Sequence, residues 1–173
     1  MNAVFYIAAG VTVVSTVLVI TQFNPVHALL YLIVSLMSVS LIFFLLGAPF
    51  AAALEVIIYA GAIMVLFVFV VMMLNLGHLA VEQEQQLLNP RMWLGPSLLV
   101  AVLMIELVYI LAQGGSHPVE GSIVGSKAVG LALFGPYVLG VELASMLLLA
   151  GLVGAHHLGR RAPDIKSPGE ETS

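Results

Sequence analysis

Glu55 is an ionisable residue inside an otherwise apolar run, Ala51 to Leu74, that is long enough to cross a bilayer. A charged group at such a depth costs about 2.5–3.5 kcal/mol on insertion scales, so by default it faces protein or water and serves a function. Tyr59 follows four residues later, on the same face of an α-helix. Ala60-Gly61-Ala62 then forms a weak point for regular helix. A carboxyl, a hydroxyl and a flexible joint in one membrane helix point to proton handling by a helix that changes shape. Gly61 serves such a helix as a hinge or a π-bulge. The competing reading is close helix packing, a common reason for glycine in membrane helices.

Two further acids lie in apolar segments: Glu106 within Met104-Ile-Glu-Leu-Val-Tyr109, and Glu142 within Tyr137-Val-Leu-Gly-Val-Glu-Leu-Ala-Ser145. Low dielectric favours the uncharged form of a carboxyl, and a group so tuned takes up and releases protons. No Lys or Arg lies within a membrane segment, so any charged partner comes from another chain. Each acid has a plainer reading. Glu55 lies only a few residues inside its segment, within reach of interfacial water. Glu142 sits beside the small pair Gly140 and Ala144, which lets helices pack closely, and it can hydrogen-bond across that contact. Glu106 can face an aqueous cleft or snorkel. Tyr59 can anchor a water chain or simply bond a backbone carbonyl. His27 follows Asn24-Pro-Val, and His78 and His117 lie in loops without visible partners. His156 and His157 point in different directions on a helix, so no metal site is expected there. Walker, Rossmann and nucleophile-elbow motifs are absent from the sequence.

The elements that must hold these groups are membrane helices. Hydrophobic residues make up 61% of the 173, charged ones 8%, and mean hydropathy is +1.14; a soluble domain carries about 25% charged residues. There is no Cys, which excludes disulfides and thiolate metal sites. The net charge is −4, and there is no basic footprint for nucleic acid. The N-terminus lacks the positive region of a signal peptide, so the first segment is expected to be retained.

An all-α polytopic membrane protein is therefore expected. Its five transmembrane helices run over about 4–21, 26–46, 50–76, 93–112 and 133–158, within one domain, 1–158. Asn24-Pro25 and Gly47-Ala-Pro49 make the first two turns. Polar loops are expected over His78–Met92 and Gln113–Gly130. Residues 159–173 read as a polar, disordered cytoplasmic tail. Arg91, Arg160, Arg161 and Lys166 fall on one side of the membrane and Lys127 on the other. The positive-inside rule then places the C-terminus in the cytoplasm and the N-terminus outside, in the periplasm. No duplicated half is visible, which argues against an inverted-repeat transporter. Five helices also enclose little on their own, so the chain reads as one piece of a larger assembly.

Three stretches carry a family resemblance. Glu55-Val-Ile-Ile-Tyr-Ala-Gly-Ala-Ile-Met-Val-Leu-Phe-Val-Phe-Val-Val-Met-Met-Leu-Asn75 resembles the third helix of the subunit J family of bacterial proton-pumping NADH:quinone oxidoreductase, respiratory complex I. Phe134-Gly-Pro-Tyr-Val-Leu-Gly-Val-Glu-Leu-Ala-Ser-Met-Leu-Leu-Leu-Ala-Gly151 resembles its last helix, and Asn24-Pro-Val-His-Ala-Leu-Leu-Tyr31 the start of its second. The likeness runs from about Phe5 to His157. It implies a non-catalytic membrane-arm subunit that binds no cofactor itself; FMN, iron–sulfur clusters and quinone belong to other subunits. It implies as partners the quinone-chamber subunit, the small three-helix subunit and an antiporter-like subunit, in the bacterial inner membrane. It implies a π-bulge around Tyr-Ala-Gly whose straightening opens or closes a water path. On that resemblance Glu55 and Tyr59 line the path, and Ala60, Gly61, Ala62, Ile63 and Met64 form the switching element; Glu142 is expected to join the lining from its own place in an apolar segment. Glu106 matches no motif of the family, so the resemblance assigns it nothing. Two alternatives remain: a purely structural scaffold of the same complex, and a small subunit of a related cation antiporter.

Overall fold

The computed structural model of the chain describes residues 2–73, 90–112 and 123–159. All regular structure among them is helical, and five helices have the length and composition to cross a membrane. The elements are α1 (Asn2–Thr21), α2 (Pro25–Leu45), α3 (Pro49–Leu54), a π-helical stretch (Glu55–Ile63), α4 (Met64–Met73), α5 (Pro90–Ala112), α6 (Ser126–Leu133) and α7 (Val138–Gly159). The third membrane segment is thus α3, the π stretch and α4 in continuous succession.

The chain divides into two compact units, Met1–Ser126 and Lys127–Ser173. In the first, α1 and α2 form an antiparallel hairpin. Its turn follows from Asn24, whose side chain accepts from the Val26 N–H at 3.0 Å, and from Pro25 in the first turn of α2. Asparagine caps and proline starts a helix without losing a needed donor. At the other end of α2, Gly47 adopts φ +82°. Its N–H donates to the Phe44 carbonyl, and the Ala48 N–H donates to Phe43. This pair of bonds is a Schellman motif, whose left-handed position suits glycine. Pro49 then opens α3. The Val124 N–H donates to the Gly47 carbonyl at 2.9 Å, tying a later segment to this turn.

The core lies where α1, α2 and α5 meet. Ala8, Val11, Val34, Leu41 and Leu103 are buried there, with Met37, Leu99, Val102 and Ile110 packed against them. Hydroxyls hold the hairpin together. Ser38 donates to the Ala8 carbonyl at 2.6 Å, and Thr16 and Ser35 hydrogen-bond at 3.0 Å. Gly95 of α5 sits against the Tyr31 hydroxyl, in a place where a Cβ would overlap it.

Several boundaries differ from expectation. The fourth membrane span is Trp93–Ala112, as expected, and the helix that carries it starts three residues earlier, at Pro90, because proline preorganises a helix start. The fifth segment begins at Val138 rather than 133, after turns over 134–137. Residues 126–133, expected to be mostly loop, form α6 despite Gly130. In the second unit, Leu131 of α6, Phe134 and Tyr137 of the turns after it, and Leu147 and Leu148 of α7 are exposed, as lipid- or partner-facing residues are. The expected loop residues 78–89 and 113–122, residues 74–76 of the third segment and the tail from 160 onward lie outside the described residues.

Candidate functional site

The third membrane segment packs on α2 through Ala52, Ala60 and Met64, which are 4%, 8% and 2% exposed. The buried Ser40 hydroxyl donates to the Ala52 carbonyl at 2.9 Å, fixing α3 to α2. These contacts explain the π stretch. At 100° per residue, Ala52 and Met64 of an undisturbed α-helix lie about 120° apart around the axis. One inserted residue reduces that angle to about 20°, so both seat on α2. The wide turn delivers that insertion. The Met64 N–H donates to the Tyr59 carbonyl, five residues back. Gly61 lies within the stretch with the Val56 carbonyl, also five residues back, 3.2 Å from where its Cβ would stand. A Cβ at that distance from a backbone oxygen is already tight, and branched side chains crowd it further.

Ala60, Gly61, Ala62 and Ile63 all fall in the π stretch, and Met64 is the first α-helical residue after it. The small-residue triplet marks this element in sequence, but the stretch reaches back to Glu55. Glu55 opens it, half-buried, and Tyr59 is 50% exposed in its middle. Both thus open away from the buried line that faces α2, toward whatever surrounds the chain. A carboxyl and a phenol on an apolar helix require polar company, and the surface they present is suited to neighbouring subunits.

Glu142 lies in α7, in the second unit, and is exposed there. The Ser145 hydroxyl donates to its backbone carbonyl at 2.7 Å. No Cβ at Gly140 would meet a neighbour within 4 Å, so the small pair beside Glu142 is open for packing by another helix.

Glu106 is the surprise among the acids. It neither snorkels nor faces an open cleft: it is 6% exposed, and both carboxyl oxygens lack a hydrogen-bond partner among the described residues. His27 is likewise buried with both ring nitrogens unpartnered, and so is the Ser15 hydroxyl. The signal for Glu106 was its spacing from Leu99, Val102, Leu103 and Ile110, all on the packed face of α5. Val100, Leu103, Met104 and Leu107 form a second apolar stripe on the same helix, sharing Leu103 with the first. That stripe lines a cavity of about 520 Å³ with α2 and α3. No cluster of three potential metal ligands occurs among the described residues.

Residues 15–158 match the family described as NADH-ubiquinone/plastoquinone oxidoreductase chain 6. The chain is 63% identical over 162 residues to NADH-quinone oxidoreductase subunit J of Pseudomonas aeruginosa, covering 93% of this chain and 98% of the relative. It is 55% identical over 175 residues to the protein of the same description in Escherichia coli K12, covering 100% and 95%. With that of Buchnera aphidicola from Schizaphis graminum it shares 52% over 160 residues, covering 92% and 98%. Five apolar helices and these matches over nearly the whole length lead to one conclusion: the chain belongs to the NADH-quinone oxidoreductase subunit J family, multi-pass inner-membrane subunits of bacterial complex I.

Proposed function

We propose that this subunit couples quinone reduction elsewhere in the complex to proton translocation, with its third membrane helix as a conformational gate on a water path. The observation that carries the reading is the π-helix at Glu55–Ile63. It holds Glu55 and Tyr59 on an outward face and contains one residue more than an α-helix needs. Loss of that residue's insertion turns α4 by about 100° relative to α3, which is enough to move a side chain off a polar lining. Met64 then leaves its seat on α2 and Ile63 takes it. The chain itself does no redox chemistry. Flavin, iron–sulfur clusters and quinone reside on other subunits, and the quinone-chamber, three-helix and antiporter-like subunits complete the path along Glu55, Tyr59 and Glu142. The N-terminus lies in the periplasm and the C-terminus in the cytoplasm, as the distribution of Arg and Lys favours.

Gly61→Val tests the gate. The added branches crowd the Val56 carbonyl in the π turn. The expected result is an assembled complex whose NADH:quinone activity and proton pumping fall together or uncouple. Normal coupled turnover in a correctly assembled complex overturns the gate and leaves the scaffold reading.

A further inference from the structure

The buried polar groups of the first unit fall into register with one another. On α1 the buried stripe is Ala8, Val11 and Ser15; on α2 it is His27, Tyr31, Val34, Ser35, Ser38 and Leu41. On α5 Glu106 lies three, four and seven residues from Leu103, Val102 and Leu99, and so on their face. The Ser38–Ala8 bond sets the pairing of α1 with α2 and brings Ser15 to the level of Tyr31. One turn further along α2, Ser35 hydrogen-bonds Thr16 and donates to the Thr12 carbonyl at 3.5 Å. Tyr31 lies against Gly95, and the cavity lining shows α5 advancing alongside α2 in the same direction. Eleven residues on from each, Glu106 reaches the level of Ile42, one turn beyond Ser38.

The resulting order is His27, Tyr31 with Ser15, Ser35 with Thr12 and Thr16, Ser38, Glu106. The steps are about one helical turn each, and the file spans about 22 Å, most of a hydrocarbon core of about 30 Å. Serines in a helix seam are ordinary packing aids, each contributing about 0.6 kcal/mol. Close packing does not account for five unpartnered polar atoms on Ser15, His27 and Glu106. Each unsatisfied buried group costs several kcal/mol in hydrocarbon, and buried waters bond such groups in folded proteins. The titratable side chains on the facing stripes are His27, Tyr31 and Glu106, and no Lys or Arg lies on them.

We infer that the seam between α1, α2 and α5 is a second, self-contained hydrated proton file within this chain, with Glu106 as its proton-exchanging carboxyl. A proton leaving the Glu106 acid for a file water leaves the carboxylate, which is reprotonated from the opposite side; one proton enters for each that exits, and no electron moves. This file is independent of the outward face at Glu55 and Tyr59.

The test uses the whole complex in native membrane vesicles. Glu106→Gln keeps the shape and removes the acid, Glu106→Asp keeps the acid, and Ser15→Ala removes one buried, unpartnered hydroxyl. Proton-to-electron ratio, quinone reductase activity and assembled yield are read together. The expected result is a lowered ratio at unchanged yield for Glu106→Gln and Ser15→Ala, with Glu106→Asp restoring the ratio. Wild-type ratios in both Glu106→Gln and Ser15→Ala overturn the file. Should Glu106→Gln fail to assemble, Ser15→Ala decides alone by the same criterion. The outcome is separable from the gate, since Gly61→Val leaves the α1–α2–α5 seam untouched.

Discussion

Deletion of Ala62 separates the register of the third helix from its ability to change register. The π stretch carries one residue more than an α-helix over the same arc. With Ala62 removed, Ala52 and Met64 are eleven steps apart, about 20° around an α-helix. Both therefore keep their seats on α2 without any wide turn, and Ser40 keeps its bond to the Ala52 carbonyl. On the proposed gate, the wild-type chain has a second register, in which the inserted residue is absorbed and Ile63 replaces Met64 against α2. Exchanging apolar side chains of similar volume costs less than about 1.5 kcal/mol, about a tenfold population ratio, so the two registers lie within reach of each other. The deletion variant has only the first. It is expected to assemble at wild-type yield on native gels, while NADH-driven acidification of inverted vesicles, followed by dye quenching, is lost. Wild-type pumping by the assembled deletion variant refutes the reasoning, because a helix with one register would then suffice.

Other perturbations have outcomes set by the same contacts. Gly95→Ala drives a methyl into the buried Tyr31 hydroxyl and lowers the thermal stability of the complex by about 1–3 kcal/mol, as overpacking does. Adding Tyr31→Phe removes the clashing oxygen, leaving the ring carbon Cζ at 3.3 Å; the double variant recovers stability, measured as residual assembled complex after heating. Tyr59→Phe, at a half-exposed position, assembles normally and pumps less, whereas a scaffold role leaves pumping intact. Ser40→Ala removes a buried bond between α2 and α3 and weakens that packing by about 0.6 kcal/mol, a small downward shift in inactivation temperature.

Hydropathy alone located five membrane helices, because a run of about 20 apolar residues has few other uses. Turn chemistry was equally legible: Asn24-Pro25 and Gly47-Ala-Pro49 mark the ends of α2 in the sequence as they do in the fold. Burial was not legible. A helix that is apolar all round gives no hint of which face meets protein, and α5 carries two overlapping apolar stripes that share Leu103. The choice between them decides whether Glu106 is inside, and it rests on how α1 and α2 sit. The extent of the π stretch was hidden for a similar reason. Ala60-Gly61-Ala62 shows where a helix can widen, but its reach back to Glu55 depends on Ala52 and Met64 both meeting α2. Helix α6 formed across Gly130 where a glycine- and serine-rich stretch suggested loop.

The Schellman turn at Gly47 makes the third helix asymmetric as a machine part. Its first turn is held three ways: by the capped end of α2, by the Ser40 bond to Ala52, and by the Val124 N–H on the Gly47 carbonyl. The far part, α4, is seated on α2 by the buried apolar side chain of Met64 in its first turn. On the proposed gate, the Gly47 end is the stator and Met64–Met73 the rotor, so a change of register turns α4 while α3 stays fixed on α2.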